Sequence, residues 1–400
     1  MKRFIIIILV ALSWLPLAAQ LNGTGYYRVR NVANDTHYIT LANDKIDFAK
    51  VVSDAGGGGT NCVTGNGKTY ALGCVSAYIT TDIHLIEDAD CVNPASLIYL
   101  KRNGNTPKYD LIGQSTSLIK LTTGIYDSSA GPVTFSDNYA VITETLSGSQ
   151  KYTAKIELKA SIKMIFTFSQ TFGTIYFFDN DGTFGIGDSG DNDNAQWYIE
   201  PVDSFNVDTS SLVEYKGKYY CTMYTPFAYK LSGQTLKAWV ITGIDNSDGT
   251  LTKEVVANNG ETVPAGTPVI LECGSNELGA CTLEPQGEPR TDNASAYIGI
   301  GTNLLKGAYF CNTDGNISYD KSNGGTGTIA ANNYTSYSAS TMLVLGVAES
   351  PTGVSRLGFF PYTGNKMKSN KVWLDISGSS ANANFTFDTD EPNQKGVAHE

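Results

Sequence analysis

Charge is what this 400-residue sequence has least of: Asp, Glu, Lys and Arg make up 17% of it, against roughly 25% in an average soluble protein. So little charge argues against coiled coils, helical repeats and charged disordered tails. Basic residues are the scarcer sign, 28 against 39 acidic, for a formal net charge of −11. That balance argues against nucleic acid and anionic membrane surfaces, both of which reward clustered Lys and Arg. Histidine is nearly missing, with three copies. There is no Cys-x-x-Cys, and no Cys/His spacing of the kind zinc requires. Beyond the first twenty residues no apolar run approaches the length of a membrane span, Met342 to Ala348 being among the longest. What the chain does have is 41 glycines and 23 tyrosines, the composition of a turn-rich, strand-rich extracellular protein.

Residues 1–20 read as a signal peptide. Lys2 and Arg3 precede an apolar run from Phe4 to Leu17, and Ala18-Ala19-Gln20 supplies small residues for cleavage. As a helix that run rises only about 21 Å, short of a bilayer core of about 30 Å. Cleavage removes two positive charges and leaves the mature chain more acidic. The first cysteine is Cys62, too far along to carry a lipid. The expectation is an exported protein, periplasmic, extracellular or at the cell surface, with no lipid anchor and no membrane insertion after signal removal.

Most readable segments alternate with period two and are rich in Tyr, Val, Ile and Thr, as in Tyr26-Tyr27-Arg28-Val29-Arg30 and Lys371-Val372-Trp373-Leu374. Turn dipeptides punctuate them: Asn103-Gly104, Asp181-Gly182, Asp248-Gly249, Asp314-Gly315. No window sustains a helical period, so the fold class is all-β. Within 22–203, three stretches (26–44, 97–115 and 163–181) each place two strand-like pieces around a polar turn, which suggests a β-trefoil. Residues 204–212 are short, polar and without period, and read as a linker. Strands then resume from 213 to about 387 with frequent turns, which favours a β-sandwich. Residues 388–400 read as a frayed tail.

Seven cysteines in an exported protein make disulfides permissible, and the odd count leaves at least one thiol free or paired between chains. Val269 to Cys273 and Cys281 to Glu284 look like hairpin arms with a cysteine at each mouth. Cys273–Cys281 is therefore a disulfide candidate; buried free thiols are the other reading.

The segments Gly25-Tyr26-Tyr27-Arg28-Val29-Arg30-Asn31, His37 to Leu41 and Gln196-Trp197-Tyr198-Ile199-Glu200-Pro201-Val202 resemble the opening and closing of ricin-B-like β-trefoil modules in secreted proteins of anaerobic Gram-negative bacteria. Thr225-Pro226-Phe227-Ala228, Val263 to Leu271, Asn303 to Gly307 and Phe359-Phe360-Pro361-Tyr362 resemble a β-sandwich module found C-terminal to them. The resemblance implies a modular surface or secreted protein of largely unassigned role, for which glycan binding is the usual guess. Lectin trefoils carry Gln-x-Trp in several repeats; here Gln196 and Trp197 are adjacent and occur once.

Three motifs touch on chemistry. Gly187-Asp188-Ser189-Gly190 matches the tetrad around a trypsin-like nucleophile, but no histidine lies in a matching context, so it reads as a turn. Gly67-Lys68-Thr69 ends like a phosphate-binding loop, yet Cys62 stands where the first glycine belongs. Asp179, Asp181 and Asp188, with Asp191 and Asp193 close behind, offer the oxygens calcium needs, although the EF-hand spacing fails. The reading favours plain turns, with those three as the calcium candidates and no other cofactor. Trp197, Trp239 and Trp373 sit in alternating apolar strands and read as core. With no catalytic constellation identified, the expectation is a non-catalytic binding protein for a glycan or surface polysaccharide. A structural or adhesive protein with a protein partner is the alternative, and a hydrolase comes after both.

Overall fold

The computed structural model describes residues 21–386 except 22, 53–63, 66–67, 70–74, 105–106, 113–118, 126–132, 136–139, 147, 164–166, 188, 246–248, 291–302, 308–316, 319–327, 330–334, 337, 339–340, 350–354, 363–365, 368–369 and 378–384. The expected signal peptide and tail lie outside the described residues. Those described are all β, joined by turns and three single-turn 3-10 helices, with no α-helix among them. No described helix is long and apolar enough to cross a membrane.

In the first half, six strands close into a ring. Gly25–Asn31 pairs antiparallel with Leu97–Arg102 on one side and with Gln196–Pro201 on the other. Leu97–Arg102 continues to Lys108–Ile112, then to Ala140–Glu144, then to Lys151–Lys163, which returns to Gln196–Pro201. Alternation in the sequence makes this closure favourable. Directly opposed residues share a face, and the opposed pairs Tyr27/Ile98, Leu100/Leu111 and Tyr152/Trp197 are all buried. Trp197 is fully enclosed, and its indole N–H donates to the Phe177 carbonyl at 3.2 Å. Closing the ring leaves no bare edge on these six strands. From Gly25–Asn31 a continuous path of strands also runs through His37–Val52, Val75–Glu87, Ile119–Ile125 and Val133–Phe135 back to Lys151–Lys163. That strand pairs in turn with Thr167–Asn180 and through it with Thr183–Gly187.

In the second half, Phe205–Asn206, Cys281–Gln286, Ala228–Gly233 and Thr262–Val263 form a four-stranded sheet. It faces a larger sheet in which Val269–Cys273 lies between Lys218–Met223 and Thr235–Asp245. Leu231, Leu283 and Phe205 from the first sheet meet Val240, Leu271 and Cys221 from the second. On the opposite face of the larger sheet, Trp239, Ile241 and Ile270 pack with Leu343, Phe359, Leu374 and Phe385. Val269–Cys273 is therefore buried along its whole length.

Two expectations change. Val269–Cys273 and Cys281–Gln286 are not the arms of one hairpin but belong to facing sheets, so the segment between them is a crossover. A run buried on both faces is a central strand, taken on both sides by other partners, and Cys281–Gln286 must pair elsewhere. Residues 204–212 do not act as a loose tether either. Phe205 and Asn206 pair with Leu283 and Thr282, and Phe205 and Val207 are both 2% exposed in the core. Polar neighbours hide this pair of apolar residues in the sequence.

The halves also share that core. Tyr26 and Leu97, on the outer wall of the ring, belong to the same buried cluster as Phe205 and Phe227. The rings of Tyr26 and Phe227 lie 5.0 Å apart, and the Tyr26 hydroxyl donates to the Gly287 carbonyl at 2.8 Å. Lys101 and Glu288 add an exposed ion pair at 2.9 Å.

Candidate functional site

Along Gly25–Asn31, Tyr27 and Val29 point into the ring while Tyr26, Arg28 and Arg30 point outward. Tyr26 is used by the shared core. Arg28 is buried, donating from Nε to Ser96 Oγ at 2.9 Å and from Nη2 to the Cys91 carbonyl at 2.6 Å. Asp88, also buried, accepts from Ser96 Oγ at 2.6 Å and from the Val92 and Asn93 amides. Every charged group there is satisfied, which makes it a structural strut.

Arg30 remains closer to solvent. Register places it opposite both Tyr38 and Tyr198, and Tyr198 opposite Lys151, so the four residues form one row across four strands. The Arg30 guanidinium stacks over the Tyr198 ring at 4.6 Å, and its Nη2 donates to Glu200 Oε1 at 2.8 Å. Partial burial opposes the guanidinium charge, but the hydrogen bond and charge of Glu200 outweigh it and hold Arg30 above its ordinary value. Lys151 reaches Asp193 at 3.4 Å. The Tyr38 hydroxyl lies 3.2 Å from Cys91 Sγ, and burial followed by that contact pushes its phenol up. The result is a half-exposed aromatic ring covered on one face by a fixed cation, with a fixed carboxylate beside it. Both segments stand out in the sequence, but nothing there shows that residues 170 positions apart meet.

Of the calcium candidates, Asp179 is fully buried, and its oxygens are already occupied. One accepts from the Gly182 amide at 2.6 Å; the other meets Asn34 Nδ2 at 2.9 Å and His37 Nδ1 at 2.6 Å. Asp181 is exposed in the turn, and Asp188 lies outside the described residues. Among the described residues no group of three or more candidate ligands is arranged to hold a metal. The Asp181-Gly182 pair has positive φ at both positions, 53° and 85°, and joins strands paired at Asn180 and Thr183, the hairpin turn this dipeptide favours.

The other motifs resolve locally. Ser189 Oγ accepts from the Asp191 amide at 3.2 Å within a turn. Lys68–Thr69 pairs with Thr64–Gly65 as strand, where a phosphate loop would open a helix. Trp197 and Trp239 are core, while Trp373 is half-buried. Cys273 and Cys281 meet as thiols, without a bridge between them, and Cys273 also contacts Cys221.

No family model matches the chain, and no curated protein matches it either. Among solved structures, a mosquitocidal holotoxin aligns at 10% identity over 91% of this chain and 51% of its own, with a TM-score of 0.23. The chain spans about half the length of that toxin, and so low a score carries no argument about fold or function.

Proposed function

We propose that this is an exported, non-catalytic binding protein whose ligand is a glycan or surface polysaccharide, held on the outer wall of the ring around Tyr198. The observation that carries the reading is the Arg30–Tyr198–Glu200 group. A sugar offers C–H faces that suit an aromatic ring and adjacent hydroxyls that suit a fixed guanidinium and carboxylate. The acid excess of the chain disfavours nucleic acid. The closed six-stranded ring supports reading the first half as a trefoil of the ricin-B-like kind. The facing sheets support reading the second half as a sandwich module.

The test is a glycan array on the mature protein, followed by titration of any positive glycan against Tyr198→Ala and Arg30→Ala. Each substitution should weaken binding by about tenfold or more, the loss of one good contact. A silent array, together with firm binding to a protein partner, would favour the adhesive alternative. A positive glycan whose affinity neither substitution changes would move the site off this wall.

A further inference from the structure

Cys221, Cys273 and Cys281 come from three strands and converge at the edge of the core between the facing sheets. Cys273 is central, in contact with the thiols of both others. Its neighbours are set by register: Cys273 lies opposite Tyr219 and Thr235, and Cys221 opposite Leu271, two positions along. Cys281 starts the facing strand opposite Gly233. Its Sγ lies 3.4 Å from the Ser275 carbonyl, under the crossover 274–280. Cys273 is 0% exposed and Cys281 is 4%, so Cys281 is the thiol nearer the surface. The crossover above it is largely exposed, with Leu278 at 55%.

We propose that this cluster is an oxidation site: Cys281 is the attacking thiol, Cys273 resolves onto it, and Cys221 is the reserve partner. The co-reactant is a small-molecule or protein disulfide of an oxidising compartment. The Cys281 thiolate attacks one sulfur of that disulfide, forming a mixed disulfide and releasing one thiolate. The Cys273 thiolate then attacks the Cys281 sulfur, and the second half of the reagent leaves as a thiol. Two cysteine thiols are oxidised to one disulfide, the external disulfide is reduced to two thiols, and the two protons pass to those leaving groups.

The order of attack follows from the surroundings. The thiol contact from Cys273 holds Cys281 below its ordinary value, against the opposing effect of burial, and the Thr235 hydroxyl helps. The same contacts and burial push Cys273 up. Cys281, nearer the surface, meets the reagent first, and its buried neighbour completes the exchange. The product would bond the two sheets across their core, beside the hydrogen bond from the Thr235 hydroxyl to the Thr282 carbonyl.

The experiment treats the reduced mature protein with oxidised glutathione, quenches with an alkylating reagent, and maps disulfides by mass spectrometry. The expected result is loss of two hydrogens and a Cys273–Cys281 peptide pair, formed at a rate that rises with pH as the thiolate forms. Cys221→Ser should leave that pair unchanged. Cys281→Ser should slow oxidation by at least tenfold and divert it to Cys221–Cys273. Full alkylation of both cysteines after treatment would overturn the proposal. So would a mixed disulfide at Cys281 that never resolves, or a first bond among Cys62, Cys74, Cys91 and Cys311.

Discussion

Asp179 owes its burial to three partners, the Gly182 amide, Asn34 and His37, which together satisfy both carboxylate oxygens. Removing it leaves those groups facing a void. Asp179→Ala should cost about 3 kcal/mol in urea unfolding, the range for breaking a buried charged contact. Asp179→Asn keeps an acceptor for Gly182 and should cost less. Millimolar calcium should leave the melting temperature of the wild type where it is, because no free oxygen of Asp179 remains to gain from the ion. The turn next to it was legible: Asp-Gly between alternating strands points to this hairpin. The inward role of Asp179 was not, since its partners Asn34 and His37 precede it by 145 and 142 positions. One-dimensional spacing sees a cluster of acids where the fold turns one of them inward.

Among the strands, Val269–Cys273 shows how far pattern reading goes. Five buried residues in a row identify a central strand, but they do not name its partners, and the nearest downstream segment looked like a hairpin mate. Both faces being covered decides otherwise. Leu271→Ala should therefore cost about 2–5 kcal/mol, as expected for a leucine in a core that cannot collapse around the gap. A second strand shows the opposite limit. Gly358 pairs with Thr386, and a Cβ there would run into the Phe385 carbonyl oxygen of the neighbouring backbone. Gly358→Ala should lower stability by about 1–3 kcal/mol through overpacking, measured by the same unfolding curves. The ring strands were legible as strands, but the three stretches 26–44, 97–115 and 163–181 do not each supply the same pair of ring strands. The third was placed from 163, at the very end of the Lys151–Lys163 strand, because the connections between ring strands differ in length and break any fixed period.

Across the whole molecule, tyrosine sets the response to alkali. Burial is the first cause that raises Tyr26, Tyr27, Tyr38, Tyr109, Tyr152 and Tyr229 above the ordinary phenol value. In the unfolded chain these groups ionise near pH 10, while in the folded chain they stay protonated. Above that pH the unfolded state holds fewer protons, so stability is complete below about pH 10 and falls as pH rises beyond it. Urea midpoints should be flat from neutrality to about pH 9 and decline from about pH 10, with the part of the tyrosinate absorbance that belongs to the buried phenols appearing only together with unfolding. Tyrosinate absorbance that reaches the full value for all 23 tyrosines in a protein that stays folded would show these phenols to be open to solvent. The core joining the halves also has an order in time. A chain made from its N-terminus completes the ring at Pro201, but Leu283, which pairs with Phe205, comes much later. Tyr26 meets Tyr99 within the first half, but Phe205 and Phe227 come after the ring, so the ring by itself would carry an apolar outer wall. A first half made alone should therefore be prone to aggregate, with the second half acting as the cover that ends the exposure.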